Sequence, residues 1–376
     1  MKKVTILLSH LGYGGISNSA VTLCNSLVDK YDVEILSVYR LYNEPVYDLD
    51  EKVTVNYISN DKPNKMAMKH YLKQKNYKMF FKGIVPRIKS AYIRRDITAR
   101  ALKKVDSDVI ISTSTLYNNL VSRFVNDNVK KIAWEHAHHN DSIKYVNKLL
   151  KSVKNMDYLV CVSEELTDYY KEYLGDKVIF IPNSLDNIPN KLSKLNSKNI
   201  VSVGKLIKEK GFDDLLRLFK KVSNKYPDWK LNIVGDGLEK NNLLQLSDEL
   251  KLKDKVIFHG YQDKIFINDI MYDSSIFVMT SLTESFGLSL IEAMSYGVPC
   301  VSYSSAQGAN EIINNDVNGF IIEDRDEDEM IKKIELLIND EKLRNRLGKN
   351  ARKTAKKYSK EINMNTWKKL INKRRQ

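Results

Sequence analysis

Short apolar runs alternate with stretches of helical period along almost the whole chain. In the first half the strand-like runs are Val4–Ser9, Val33–Tyr39, Val53–Ile58, Val109–Ser112, Lys131–Glu135, Tyr158–Val162 and Val178–Ile181. In the second half they are Asn199–Val203, Lys230–Val234, Val256–His259, Ser275–Met279 and Val298–Ser302. Helical periodicity fills the gaps, as in Asp213-Asp-Leu-Leu-Arg-Leu-Phe-Lys-Lys-Val222. Nearly continuous β-branched strands separated by amphipathic helices predict parallel sheets covered on both faces. The stretch 183–198 is rich in Asn, Ser, Lys and Pro and has no period, so it reads as a linker. The expected architecture is α/β. Two Rossmann-like, doubly wound domains, 1–185 and 198–355, face each other across a cleft, the usual place for a ligand in such sheets. A basic helical tail, 356–376, follows and can cross back to the first domain.

Composition narrows the class. At 376 residues the chain exceeds what one core usually serves, and 43% hydrophobic content is ordinary for a soluble protein. No run of about 18 apolar residues occurs, so no span of a bilayer is expected. The apolar run near Met1 is short and turns directly into Gly12-Tyr-Gly-Gly15, which fits a first buried strand better than a signal peptide. Cys24, Cys161 and Cys300 lie far apart in apolar surroundings and read as buried thiols of a cytoplasmic protein. Neither a CxxC pair nor a zinc spacing is present.

Charge is unevenly spread. The chain is net +14, but residues 62–104 alone hold fourteen Lys/Arg against Asp96, and 351–376 hold ten against Glu361. The remainder is net acidic, at −8. Two local basic surfaces, rather than a uniformly basic protein, therefore need explaining. Within 62–104, Tyr71, Tyr77, Met79, Phe80, Phe81, Ile84, Val85, Ile88, Tyr92 and Ile93 interleave with the charges, and Pro86 is expected to break any single helix near its middle. Basic and aromatic residues together suit an anionic membrane interface, and they suit nucleic acid less well in this setting. The expected location is peripheral, at the inner face of the cell membrane.

The densest motif is Ser281-Leu-Thr-Glu284-Ser-Phe-Gly287-Leu-Ser-Leu-Ile-Glu292-Ala-Met-Ser-Tyr-Gly297-Val-Pro-Cys300. An apolar strand leads in, a turn carries Glu284 and Gly287, and a helix follows that Gly297 and Pro299 close. Gly287 lets backbone approach closely, and the helix start is a ready anion site. Two carboxylates eight apart, Glu284 in the turn and Glu292 in the helix, can reach opposite ends of one ligand over that start.

This motif resembles the EX7E signature of the large retaining glycosyltransferase family 4, of GT-B fold, and the resemblance extends over nearly the whole chain. Val203-Gly-Lys-Leu-Ile-Lys-Glu-Lys210-Gly211 is similar to the family's VGRL…KG segment. Asn232-Ile-Val-Gly-Asp-Gly237, Phe258-His-Gly260-Tyr-Gln and Asn310-Glu-Ile-Ile-Asn-Asn-Asp-Val-Asn-Gly319 resemble its later loops. Gly14-Gly15 and Val178-Ile-Phe-Ile-Pro-Asn183-Ser-Leu-Asp186 fit in the first half. The resemblance implies a hexosyltransferase moving a sugar from a nucleotide-diphosphate donor to a saccharide or lipid-linked acceptor in cell-surface polysaccharide or glycolipid synthesis. It places Lys205 and Lys210 on the donor diphosphate, Glu292 on the ribose and Glu284 on the transferred sugar. Backbone of Phe286, Gly287 and Leu288 meets phosphate and sugar. Lys205 stands where the family usually has Arg, which keeps the charge but loses the bidentate fork. The chemistry also makes sense from the residues: a departing nucleoside diphosphate needs cationic donors and helix-end N–H groups.

Three other stretches carry chemistry. Gly12-Tyr-Gly14-Gly15-Ile-Ser17 falls short of the dinucleotide fingerprint, yet as strand, glycine and helix start it offers N–H groups, Gly15 first, to a phosphate. His136-Ala-His138-His139 follows the strand Lys131–Glu135, and the family often has a cleft-facing histidine there. His136 is the closest match, expected to hydrogen-bond donor sugar or acceptor. Asp324-Arg-Asp326 has the DxD form of metal-dependent transferases, but it opens an acidic run at a helix start, where acids gather on dipole grounds alone. No metal or other cofactor is expected. The catalytic candidates are thus Glu284, His136 and Lys210. A sugar-nucleotide epimerase of the same fold, or a non-catalytic membrane- or nucleic-acid-binding module, stays open as an alternative.

Overall fold

The computed structural model describes residues 1–63 and 77–374. Of the basic segment, residues 64–76, with Lys65, Lys69, Tyr71, Lys73 and Lys75, lie outside the described residues, as does Arg375 of the tail. The chain divides into two compact units. The first comprises 1–161, 167–180 and 366–376, and the second 162–166 and 181–365.

The first unit holds seven strands: β1 Lys3–His10, β2 Asp32–Tyr39, β3 Thr54–Ser59, β4 Val109–Ser112, β5 Lys130–Glu135, β6 Tyr158–Cys161 and β7 Val178–Phe180. Their order is β3-β2-β1-β4-β5-β6-β7, and every pairing is parallel. The second unit holds β8 Asn199–Val203, β9 Lys230–Val234, β10 Val256–Gly260, β11 Ile276–Met279, β12 Cys300–Tyr303 and β13 Gly319–Ile322. They are ordered β10-β9-β8-β11-β12-β13, again parallel. In each sheet the chain winds outward on one side and returns to the other. The reversal falls between β1 and β4 in one unit and between β8 and β11 in the other. Loops leaving neighbouring strands at such a switch point diverge and leave a crevice at the carboxyl ends.

The amphipathic pattern explains how the helices dock. In the helix Phe212–Lys225, Phe212, Leu215, Leu216, Phe219 and Val222 fall on one stripe and are buried against Ile200, Leu231 and Ile233 of the sheet. Each such apolar side chain contributes about 2 kcal/mol by leaving water. β13 is a strand that the periodicity does not reveal. It is four residues long and pairs with β12 alone at the sheet edge, directly after the Asn318-Gly319 turn. The thiols of Cys24, Cys161 and Cys300 are free and buried, in keeping with their apolar surroundings in the sequence.

Pro86 does not break its helix, contrary to expectation. One helix runs through it from Tyr77 to Tyr92 and passes into a π turn, Ile93–Ile97, and a further helical turn, Thr98–Leu102. Proline removes one N–H and orphans the carbonyl of Lys82, but Lys82 and Pro86 both lie on the exposed face, where solvent takes that carbonyl. The π turn is closed by the Thr98 hydroxyl, which donates to the Ile93 carbonyl at 2.9 Å.

Two side chains fix the ends of discontinuous segments. Lys130 of β5 is buried, and its ammonium donates to the carbonyls of Leu370 (3.0 Å), Ile371 (2.9 Å) and Lys373 at the C-terminal end of the last helix, Lys360–Asn372. A cation there satisfies orphan carbonyls and suits the helix dipole. Trp367 packs edge-on to Trp134 beside it. In the second unit the Glu311 carboxylate accepts the backbone N–H groups of Glu164 (2.9 Å) and Glu165 (2.8 Å) at the start of the helix Glu164–Leu174.

Candidate functional site

The candidate residues of the second unit gather where β8 and β11 end side by side. The loop after β8 runs from Gly204 through Lys205 to a single 3-10 turn, Lys208–Lys210, and Gly211 turns it into the helix Phe212–Lys225 with φ of +61°. A Cβ on Gly211 would lie 2.1 Å from the Thr280 carbonyl oxygen, so that position excludes every side chain. The loop after β9 backs this one: Gly204 N–H donates to Val234 O and Leu206 N–H to Asp236 O, both at 3.0 Å. The loop after β11 carries Glu284 and ends at Gly287, φ +92°, which caps the helix Leu288–Ser295 without a side-chain hydrogen bond.

The two loops are joined. Leu282 N–H donates to Glu209 O at 2.9 Å, the Thr280 hydroxyl to Gly211 O at 2.7 Å, and the Lys210 ammonium to the Glu284 carboxylate. Lys210 and Glu284 are both half-buried, and the structure brings these two candidates into direct contact. Lys205 is exposed on the same loop. Phe286 is buried and meets Tyr358 edge-on. Glu292 is tied to Lys264 at 2.6 Å. The arrangement presents ammonium groups, an uncapped helix start and two carboxylates at one end of the sheet, which is what a diphosphate-linked ligand requires.

The first unit holds the other two candidates. Gly15 begins the helix Gly15–Leu27 after Gly14, φ +146°, again without a side-chain cap. His136 follows β5, two strands along the sheet from β1. Its ring lies tilted against Trp134 with centroids 4.4 Å apart, its Nε2 is enclosed without a hydrogen-bond partner among the described residues, and burial pushes its pKa down to about 3. It is therefore a neutral imidazole throughout the physiological range. Glu135 beside it is buried, accepts from Ala137 N–H (2.8 Å) and the Tyr145 hydroxyl (2.9 Å), and is raised to about 7 by desolvation.

Asp326 caps the helix Glu327–Asn339 by accepting Glu329 N–H at 3.0 Å, and Asp324 lies 3.5 Å from Arg325. Both acids thus have structural partners. Among the described residues no group of three or more His, Cys, Asp or Glu side chains has the geometry to hold a metal ion.

Sequence reasoning missed three contributors: Lys264, the Gln307-Gly308 pair and Arg325. Gly308 N–H donates to Glu284 O at 2.7 Å, and Gln307 Oε1 lies 3.4 Å from Glu284 N. The one available signal was their place after β12, at the carboxyl end of a parallel strand.

Comparison with known proteins fits this geometry. The family model for glycosyl transferases group 1 matches residues 183–354. An uncharacterized glycosyltransferase of Haemophilus influenzae is 31% identical over 382 residues, covering 99% of this chain and 100% of that protein. The N-acetylgalactosamine-N,N'-diacetylbacillosaminyl-diphospho-undecaprenol 4-alpha-N-acetylgalactosaminyltransferase of Campylobacter jejuni is 25% identical, with 96% of each chain covered. Among solved structures, S. aureus TarM in complex with Fondaparinux, alpha-GlcNAc-glycerol and UDP superposes with a TM-score of 0.79 at 16% identity, over 99% of this chain and 100% of that one. With its two parallel α/β units in the GT-B arrangement of strands, the chain belongs to the group 1 glycosyltransferases.

Proposed function

We propose that this glycosyltransferase is a retaining, metal-independent hexosyltransferase of family 4, moving a sugar from a nucleotide-diphosphate donor to a lipid-linked saccharide at the inner face of the membrane. The observation that carries the reading is the Lys210–Glu284 pair at the head of the uncapped helix Leu288–Ser295. In the reaction the bond between the sugar's anomeric carbon and the diphosphate oxygen breaks. The acceptor oxygen bonds to that carbon on the same face, and its proton passes to the departing phosphate. Lys205, Lys210 and the N–H groups at Leu288 then stabilise the nucleoside diphosphate as its charge grows. Glu284 turns from Lys210 to the transferred sugar, Glu292 holds the ribose, and His136 and the helix start at Gly15 contact donor or acceptor. The C. jejuni relative's name gives it a diphospho-undecaprenol-linked acceptor, and the TarM complex contains UDP, which supports this substrate class.

The membrane part rests on the helix Tyr77–Tyr92. Tyr77, Phe81, Val85, Ile88 and Tyr92 recur at helical spacing and are exposed, Phe81 by 64% and Val85 by 72%. Lys78, Lys82 and Arg87 flank them, whereas Lys89 is paired with Asp61 at 2.6 Å. Such a face suits an anionic bilayer, each nearby cation adding about 1 kcal/mol. Among the described residues no helix is long and apolar enough to cross a membrane.

The test is a hydrolysis and transfer screen over a panel of nucleotide sugars, with and without EDTA. Turnover of at least one donor that survives chelation is expected, with the anomeric configuration retained in the product. Activity lost to EDTA and restored by one divalent ion, or an inverted product, overturns the corresponding part. Sedimentation with anionic but not neutral vesicles, abolished by reversing Lys78, Lys82 and Arg87 to Glu, tests the docking face. Equal pelleting of parent and variant removes it.

A further inference from the structure

The loop between β13 and the helix Glu327–Asn339 holds a residue whose contacts reach well beyond its acidic neighbour Asp324. Arg325 adopts φ of +62°, a left-handed conformation that a side chain makes costly and that glycine would adopt freely. Its guanidinium turns back toward the site already described. Nη1 donates to the Thr280 carbonyl at 3.1 Å and lies 3.4 Å from the Asp214 carboxylate. The group sits 4.7 Å over the Tyr303 ring, and Nη2 is enclosed without a hydrogen-bond partner among the described residues.

Besides its neighbour Asp324, 3.5 Å from Nε, it has two polar partners in different elements. Thr280 joins β11 to the turn that carries Glu284. Its carbonyl is the atom that presses on Gly211, and its hydroxyl holds the Gly211 carbonyl. Asp214 lies in the first turn of the helix Phe212–Lys225, three residues after Gly211. One guanidinium nitrogen, Nη1, therefore links the residue that precedes the Ser281–Gly287 turn to the helix turn that follows the Lys205–Gly211 loop.

We propose that Arg325 is a positioning residue for the donor diphosphate: it sets the spacing between Lys210 and the start of the helix Leu288–Ser295. The proposal rests on the reading of this site as the donor site. A backbone strain and an enclosed N–H group are retained at a position where glycine would remove both, which is the pattern of a residue kept for function.

The experiment measures calorimetric affinity for UDP, GDP and ADP in the parent, and then compares the preferred diphosphate with its nucleoside in Arg325→Met, Arg325→Gly and Arg325→Lys. Binding to the diphosphate is expected to fall about tenfold in the Met and Gly variants, on the scale of one lost charge-assisted hydrogen bond. Binding of the nucleoside should stay unchanged, and Lys should restore part of the loss. Thermal midpoints establish that each variant is folded. Unchanged diphosphate affinity in both Met and Gly variants overturns the proposal, as does equal loss of nucleoside and diphosphate. A folded parent that binds none of the three diphosphates defeats the donor-site reading itself, and this proposal with it.

Discussion

Replacing Glu135 by glutamine should change the pH dependence of stability in a way that isolates one buried carboxyl. Glu135 is 5% exposed at the end of β5, and desolvation raises it from 4.5 to about 7. An acid with a raised pKa in the native state holds its proton where the unfolded chain has released it. Its contribution to stability is therefore fully present below about pH 4.5 and is lost as pH rises through about 7. Between pH 5 and pH 8 the shift corresponds to a loss of about 2.5 kcal/mol. The glutamine amide keeps an oxygen for Ala137 N–H and the Tyr145 hydroxyl, so the two accepted hydrogen bonds survive. His136 works in the opposite sense, losing stability as pH falls below its unfolded value near 6.5 toward about 3, but it is common to both proteins. Denaturant titration of parent and Glu135→Gln at pH 5, 6, 7 and 8, at one ionic strength, reads the difference directly. The variant should gain about 2.5 kcal/mol on the parent across that range. Parallel curves for the two proteins would show that the carboxyl titrates at its ordinary value and that its desolvation is compensated.

Three further outcomes follow from named contacts. Glu292→Ala should raise the donor dissociation constant with little change in kcat, because ribose contacts are the same in ground and transition states. Lys210→Ala should lower kcat by about 100-fold, because diphosphate charge grows only as the bond breaks. Steady-state kinetics with the donor found by screening separates the two. Lys130→Met should lower stability by about 3 kcal/mol, since three carbonyls of the last helix lose their buried cation, and a denaturant titration measures it.

What the sequence disclosed divides along a physical line. Strand positions, the order of strand and helix, and the turn from Glu284 to Gly287 are local. Periodicity, β-branched runs and glycines that need positive φ record them residue by residue. The expectation that Pro86 breaks its helix fails because solvent satisfies the freed carbonyl, and solvent exposure is a tertiary fact. β13 escaped because four edge residues carry too little period. Lys264 and Arg325 escaped because their partners, Glu292 and Thr280, lie 28 and 45 residues away in sequence. Surface-type residues give no sign of a distant partner. Arg325 stood inside an acidic helix start that explained its neighbours well enough to hide it.

Gly308 shows the same limit and permits a sharp test. It is not at positive φ, and nothing local forbids alanine there; in the short helix Gln307–Ile312 alanine would be the better helix former. In space, a Cβ would fall 2.4 Å from the Phe286 Cα and 2.5 Å from its N and O, all backbone atoms. Relief to ordinary contact near 3.5 Å moves the turn that carries Glu284 by about 1 Å, and misplacement on that scale costs about 100-fold in rate. Gly175 supplies the control. Its φ of +59° makes alanine strained, but no atom lies within 4 Å of its Cβ direction. Gly175→Ala should therefore cost about 1 kcal/mol of stability and leave transfer untouched. Gly308→Ala should depress kcat/KM by about 100-fold at a similar cost in stability. Near-parent activity in Gly308→Ala would mean that the Glu284–Gly287 turn yields without disturbing the reacting groups, and that the close approach of Gly308 serves packing alone.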